Sequence, residues 1–216
     1  MKFQILDLES WPRRAHFQFF KDFDEPFFGI VVTVDATQSY YFCKDTSTSF
    51  FNFYLHKVLA AANAVENFRF RMGGSDVLVF DRTDASPTIM REDGTFGFGY
   101  VEFNDNFDHF NAALRTEKAR VKSTTGLFTR EFPVNIIHVS ALPWLDFSAI
   151  SHARTFGKGD SCPKISFGKL SPDPNGRLVM PMSVHVHHGL MDGLQVAQFV
   201  ELVRSGLADP TQLLSQ

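Results

Sequence analysis

Met180-Pro181-Met182-Ser183-Val184-His185-Val186-His187-His188-Gly189-Leu190-Met191-Asp192-Gly193 is the stretch on which the reading of this chain turns. Its first eight residues are dominated by β-formers and read as a strand from Leu178 to His187. Strand side chains alternate between faces, so Met180, Met182, Val184, Val186 and His188 fall on one side and Ser183, His185 and His187 on the other. Gly189 ends the pattern. Leu194, Ala197, Val200, Val203 and Leu207 then recur at helical spacing, so a closing helix follows the strand after a tight turn.

Three readings of the histidines compete. They could be structural, each satisfied by hydrogen bonds. His185 and His187 could begin a metal site, since they point the same way, but the sequence offers no further ligands in a recognisable spacing. His188 could be a general base: it ends an apolar row, and partial desolvation favours the neutral imidazole that proton abstraction requires.

Working outward, Pro26 to Asp35 reads as a buried strand around Ile30-Val31-Val32-Thr33-Val34. Trp11-Pro12-Arg13-Arg14-Ala15-His16-Phe17 suits a short helix with proline near its first turn. Asp45-Thr46-Ser47 supplies cap residues for a helix through Phe51, Tyr54, Leu55, Val58, Ala62 and Val65. Strands are expected at 68–72, 77–80, 96–101, 134–140 and 164–167, and a helix from about 107 to 121 capped by Asp105 or Asn106. Ser171-Pro172-Asp173-Pro174-Asn175-Gly176 is a turn. Strands and helices mix without a regular βαβ beat. The expected fold is therefore α+β, a mixed sheet flanked by helices in a two-layer sandwich, forming one domain over residues 1–216.

Composition narrows the function. The chain has 216 residues, 44% hydrophobic and 21% charged, with a net charge of −3 and no basic stripe, so nucleic acid is not an expected partner. No apolar run reaches membrane-spanning length, and acids occupy the N-terminus where a signal peptide would be apolar. Cys43 and Cys162 are isolated thiols, which points to a reducing cytoplasm. Phenylalanine is in surplus, 25 residues, which fits aromatic pockets or a large subunit interface.

The segment His187-His188-Gly189-Leu190-Met191-Asp192-Gly193 resembles the His-His-x-x-x-Asp-Gly motif of CoA-dependent acyltransferases. Two further stretches resemble the chloramphenicol acetyltransferases among them. Trp11 to Phe17 matches their Trp-x-Arg-x-x-His-Phe opening, and Val139-Ser140-Ala141-Leu142-Pro143-Trp144 their Ile-Ser-Ala-Leu-Pro-Trp strand. The three motifs fall in the family's order along nearly the whole chain.

The resemblance implies acetyl transfer from acetyl-CoA, as co-substrate with no tightly bound cofactor and no metal, to a hydroxyl of chloramphenicol, and hence resistance to that antibiotic. It implies His188 as base, Ser140 as donor to the oxyanion, and a structural pair between Asp192 and Arg13. Phe19, Phe20 and Phe28 fall near the family's acceptor pocket. Trp144 and Lys169 fall near its pantetheine arm, and Ser166 where it orders a water. It also implies a homotrimer with sites shared between subunits.

This chain departs from the pattern on the acceptor side. Phe20 stands where the family carries an aromatic hydroxyl, residues 145–153 keep little of an asparagine-rich run, and the Pro172–Pro174 turn is one residue longer. Two alternatives follow: the same chemistry on another small alcohol or xenobiotic, and a non-catalytic trimeric module like a dihydrolipoamide complex core. The chain has no room for the linked lipoyl domains such a core carries. Release of free thiol from acetyl-CoA with candidate alcohols separates the two.

Overall fold

In the computed structural model, which describes residues 2–154 and 159–211, the chain runs β1 (Phe3–Ile5), α1 (Arg14–Phe20), β2 (Phe27–Asp35), α2 (Thr37–Asp45) and α3 (Phe50–Ala64). A single 3-10 turn, Glu66–Arg69, leads into β3 (Phe70–Gly73), β4 (Asp76–Phe80), β5 (Asp84–Met90) and β6 (Phe96–Phe98). There follow α4 (Phe107–Lys122), β7 (Ile136–Ala141), β8 (Lys164–Phe167), β9 (Ser171–Pro172), β10 (Leu178–His187) and α5 (Gly193–Ala208).

The main sheet has the order β2-β10-β8-β7-β5-β6, with β9 beside β10. It is mixed: β7 is parallel to β5 and β8, while β10 is antiparallel to β2 and β8. A second, three-stranded sheet, β1-β4-β3, stands apart from it. This is the expected α+β sandwich.

The two faces of the main sheet differ. Val139, Ile165, Met182, Val184 and Val186 are buried on one face against Leu55, Leu59, Val200 and Val203 of α3 and α5. Helix α3 is buried on nearly every side, its polar Asn52, His56, Lys57 and Asn63 included. The opposite face carries Ser140, Ser166 and Ser183, which the register puts side by side. Phe17, Phe70, Val77 and Leu190 form a smaller cluster, with Trp11, that ties α1 to the small sheet.

Three local expectations are corrected. The cap of α3 is Ser49, whose side chain accepts from the Asn52 amide, and not the Asp45-Thr46-Ser47 group, which ends the preceding helix. That helix, α2, has only a weak apolar stripe. Strand β5 alternates Asp84, Ser86 and Thr88 with Ala85, Pro87 and Ile89, but Asp, Ser and Pro are poor strand formers, so both elements escape a reading from local sequence. The strand expected from 68 begins at Phe70, because Glu66–Arg69 close a 3-10 turn first. No helix among the described residues is long and apolar enough to cross a membrane.

Candidate active site

His188 lies one residue past the end of β10. Its amide donates to the Pro26 carbonyl at 2.7 Å and its carbonyl accepts from Arg13 Nη2 at 3.1 Å, so the backbone is fixed at both polar groups. The ring lies parallel to Phe20, centroids 4.1 Å apart, and is touched by Phe28 at 4.6 Å. Nδ1 is buried and has no partner among the described residues. The imidazole is thus held between two of the phenylalanines named from the sequence. Phe19 packs edge-on against Phe20 at 4.9 Å but is largely exposed, and contacts His188 only through Phe20.

Arg13 and Asp192 form the ion pair that the resemblance implies. Asp192 also caps α5: its carboxylate accepts from the Leu194 amide at 3.1 Å, and its own amide donates to Gln195 Oε1 at 3.0 Å. Burial pulls the Asp192 pKa upward, but the Leu194 amide and the Arg13 guanidinium outweigh it and hold the carboxyl below its ordinary value. Both carboxylate oxygens are engaged, and the link to His188 runs through Arg13 and the backbone. Asp192 therefore orders the turn that presents His188.

The neighbouring His187 is structural in the same sense. Its Nδ1 accepts from the Gly189 amide at 3.1 Å, which requires an unprotonated Nδ1, and burial holds its pKa down to about 4. A Cβ on Gly189 would stand 3.0 Å from that ring, a tight contact that glycine avoids. Among the described residues no group of three or more His, Cys, Asp or Glu could hold a metal ion.

Ser140 lies elsewhere. It lines a cavity of about 550 Å³ together with Ser166, His152, Trp144, Phe51 and Lys118. Ser166 Oγ is 3.5 Å from His152 Nε2. Burial, then the neighbouring His185, Lys164 and Arg154, hold the His152 pKa down to about 4. Trp144 is exposed at the rim, and Lys169, also exposed, donates its amide to the Leu145 carbonyl at 2.7 Å. Ser140, Ser166 and Trp144 are thus brought together, while Lys169 is not part of the cavity lining.

The two halves are far apart. Ser140 pairs with Ser166 and Ser166 with Ser183, and His188 lies five residues beyond Ser183 on the outer of these strands. At a rise of ~3.4 Å per residue and ~4.8 Å between strands, Ser140 and His188 of one chain are roughly 20 Å apart. The sequence reading passed over several neighbours of this face: Phe27, Gly29, His152, Arg154 and Lys164. Only the strand alternation of Lys164 and Ser166 could have flagged any of them.

Residues 1–204 match the family model for chloramphenicol acetyltransferase. Chloramphenicol acetyltransferase 3 of Escherichia coli is 27% identical over 202 residues, covering 93% of this chain and 94% of that protein. A solved chloramphenicol acetyltransferase superposes with a TM-score of 0.84 at 29% identity, covering 95% of this chain and all of that one. A dihydrolipoamide acetyltransferase of Azotobacter vinelandii shares the fold, at 14% identity and a TM-score of 0.69 over 88% of this chain and 84% of that one. The chain belongs to the chloramphenicol acetyltransferase family, a family of acyltransferases.

Proposed function

We propose that this chain transfers the acetyl group of acetyl-CoA to the hydroxyl of a small acceptor, accepting chloramphenicol, with His188 as general base. The observation that carries this is the setting of His188, an imidazole clamped between Phe20 and Phe28 with its backbone fixed by Pro26 and Arg13. The base takes the acceptor's proton as the oxygen attacks the thioester carbon. Negative charge then develops on the former carbonyl oxygen, where the Ser140 hydroxyl donates a hydrogen bond. Collapse expels the CoA sulfur, which takes up the proton held by His188. Ser166 orders a water beside the intermediate. The cavity between Trp144 and Ser140 takes the thiol arm of CoA, with Lys169 further along it. No resident cofactor or metal takes part.

A separation of roughly 20 Å prevents Ser140 and His188 of one chain from meeting on one acetyl group. The active assembly is a homotrimer, in which His188 of one copy faces the Ser140 cavity of the next. On this reading the reaction runs in the cytoplasm, on the strength of the two free thiols, which stay reduced there.

The test is release of free thiol from acetyl-CoA with chloramphenicol present. His188→Ala should lower turnover by about 10² to 10⁴ with the protein still folded. Ser140→Ala should lower turnover with little change in acetyl-CoA affinity, since an oxyanion donor acts mainly in the transition state. Near-normal turnover in His188→Ala would refute the assignment.

A further inference from the structure

Two lysines line the cavity of Ser140, and the chemistry at His188 and Ser140 gives neither of them a task. Lys118 and Lys122 come from the end of α4, while Ser140 and Ser166 come from β7 and β8, so the cavity joins a helix to the serine row. Its remaining walls are largely apolar, with Phe51, Ile89, Phe96 and Trp144 among them. The two lysines stand four residues apart, one helical turn, and so share a face of α4.

Lys118 is held in position without being neutralised. Its Nζ donates to Asn52 Oδ1 at 2.6 Å, and Asn52 is itself oriented by donating from Nδ2 to Asn111 Oδ1 at 2.7 Å. The ammonium also lies over the Phe51 ring, 4.3 Å from its centroid. Asn52 takes only one of the three ammonium hydrogens. Among the described residues no carboxylate pairs with Lys118; burial, and then the like charge of Lys122, hold its pKa down to about 8. Like charges one helical turn apart repel, and partial burial of an unpaired one adds to the cost. An anion lying between the two ammonium groups relieves both costs, and phosphate is the anion that a lysine point charge suits well.

We propose that Lys118, together with Lys122, binds a phosphate of CoA and so selects CoA thioesters over thioesters that lack phosphate. This rests on the reading that the thiol arm of CoA fills the cavity beside Ser140. A thioester held at Ser140 runs its neutral arm along apolar walls, which suit the arm and offer nothing to the charged groups at its far end. A neutral arm gains little from an ammonium, whereas a phosphate gains a charge-assisted hydrogen bond from each. The lysines take no part in bond making; they bind the donor and lower its Michaelis constant.

The experiment compares acetyl-CoA, acetyl-dephospho-CoA and S-acetylpantetheine as donors, with chloramphenicol as acceptor, by release of free thiol. The wild-type enzyme should prefer acetyl-CoA to S-acetylpantetheine in kcat/KM, chiefly through a lower KM. In Lys118→Met that preference should shrink about tenfold, the worth of one charge-assisted hydrogen bond, and the change should lie in KM and not in kcat. Lys118→Arg keeps the charge and should retain most of the preference. Loss of fold alone would lower turnover with both donors and leave their ratio as it was. The dephospho donor tells which phosphate is bound: a Lys118→Met penalty that vanishes with it assigns the 3′-phosphate, and one that persists assigns the diphosphate. An unchanged preference in Lys118→Met overturns the proposal. If no donor releases thiol, acetyl transfer itself fails. The phosphate site is then judged by calorimetric titration of CoA and of pantetheine into the wild-type chain and into Lys118→Met, and equal CoA affinity in the two proteins, or no CoA binding, overturns it.

Discussion

Replacing Asp192 separates its two tasks. Asp192→Asn keeps a competent helix cap but removes the charge from the Arg13 pair, whereas Asp192→Ala removes both. Arg13 is 14% exposed and Asp192 34%, between the surface case, at most about 1 kcal/mol, and the buried case of about 3–5 kcal/mol when one partner is lost. Asp192→Asn should therefore cost about 1–3 kcal/mol, or roughly 2–12 °C in Tm for a chain of this size. Asp192→Ala should cost about 1 kcal/mol more, the worth of the cap. The assay is thermal unfolding at one fixed protein concentration, alongside the pH–rate profile. Because the folded carboxyl is held below its ordinary value, its contribution is complete above the unfolded pKa and fades as pH falls below about 4. The gap between wild type and Asp192→Asn should thus be full at pH 7 and close in acid. An unchanged Tm together with a large shift in the pH–rate profile would refute this reasoning, and would make Asp192 an electrostatic partner of the base.

Two substitutions probe the surroundings. Phe20→Tyr restores a hydroxyl at the ring that stacks on His188, and a neutral hydrogen bond of about 0.5–1.5 kcal/mol should lower the Michaelis constant for chloramphenicol roughly three- to tenfold with little change in turnover. An unchanged constant would show that the hydroxyl does not reach the drug. Gly29→Ala drives a methyl into the His185 ring and should destabilise the fold by about 1–3 kcal/mol, read as a loss in Tm; wild-type stability would show that the ring moves freely aside.

Much of this was legible in the sequence, for identifiable reasons. Strand β10 and helix α5 announce themselves because one alternates with a period of two and the other carries an apolar stripe, with Asp192 at the join. The Arg13–Asp192 pair spans 179 positions, and no local pattern could reveal it; only the resemblance pointed there. The contact of Phe20 with His188 is equally non-local. The basic residues near Phe27 stayed hidden for another reason. Lys164 and His185 meet by strand register and Arg154 joins them from a loop, so pattern reading sees scattered polar residues where the fold makes one buried face. Helix α2 and strand β5 were missed because their residues carry weak or contrary local preference and are held by tertiary packing.

The separation of Ser140 from His188 can be turned into a decisive mixing experiment. His188→Ala and Ser140→Ala each spoil one half of the proposed chemistry. If both halves came from a single chain, every active site in a mixture would contain one defect, and mixing would restore nothing. If the site is shared, a mixed trimer contains interfaces at which the Ser140→Ala copy supplies an intact His188 and the His188→Ala copy an intact Ser140. For random assembly from equal amounts, half of all copies supply the base and half supply the serine. About a quarter of the interfaces are then intact. Unfolding and refolding the two variants together should therefore restore about a quarter of wild-type activity, while each variant treated alone stays at its residual rate. The assay is thiol release with chloramphenicol at saturating acetyl-CoA. Recovery should depend on the mixing ratio and peak at equal amounts, since the product of the two fractions is largest there. Failure to recover, with trimers of mixed composition demonstrated by mass, would refute the shared site and require Ser140 and His188 to act apart.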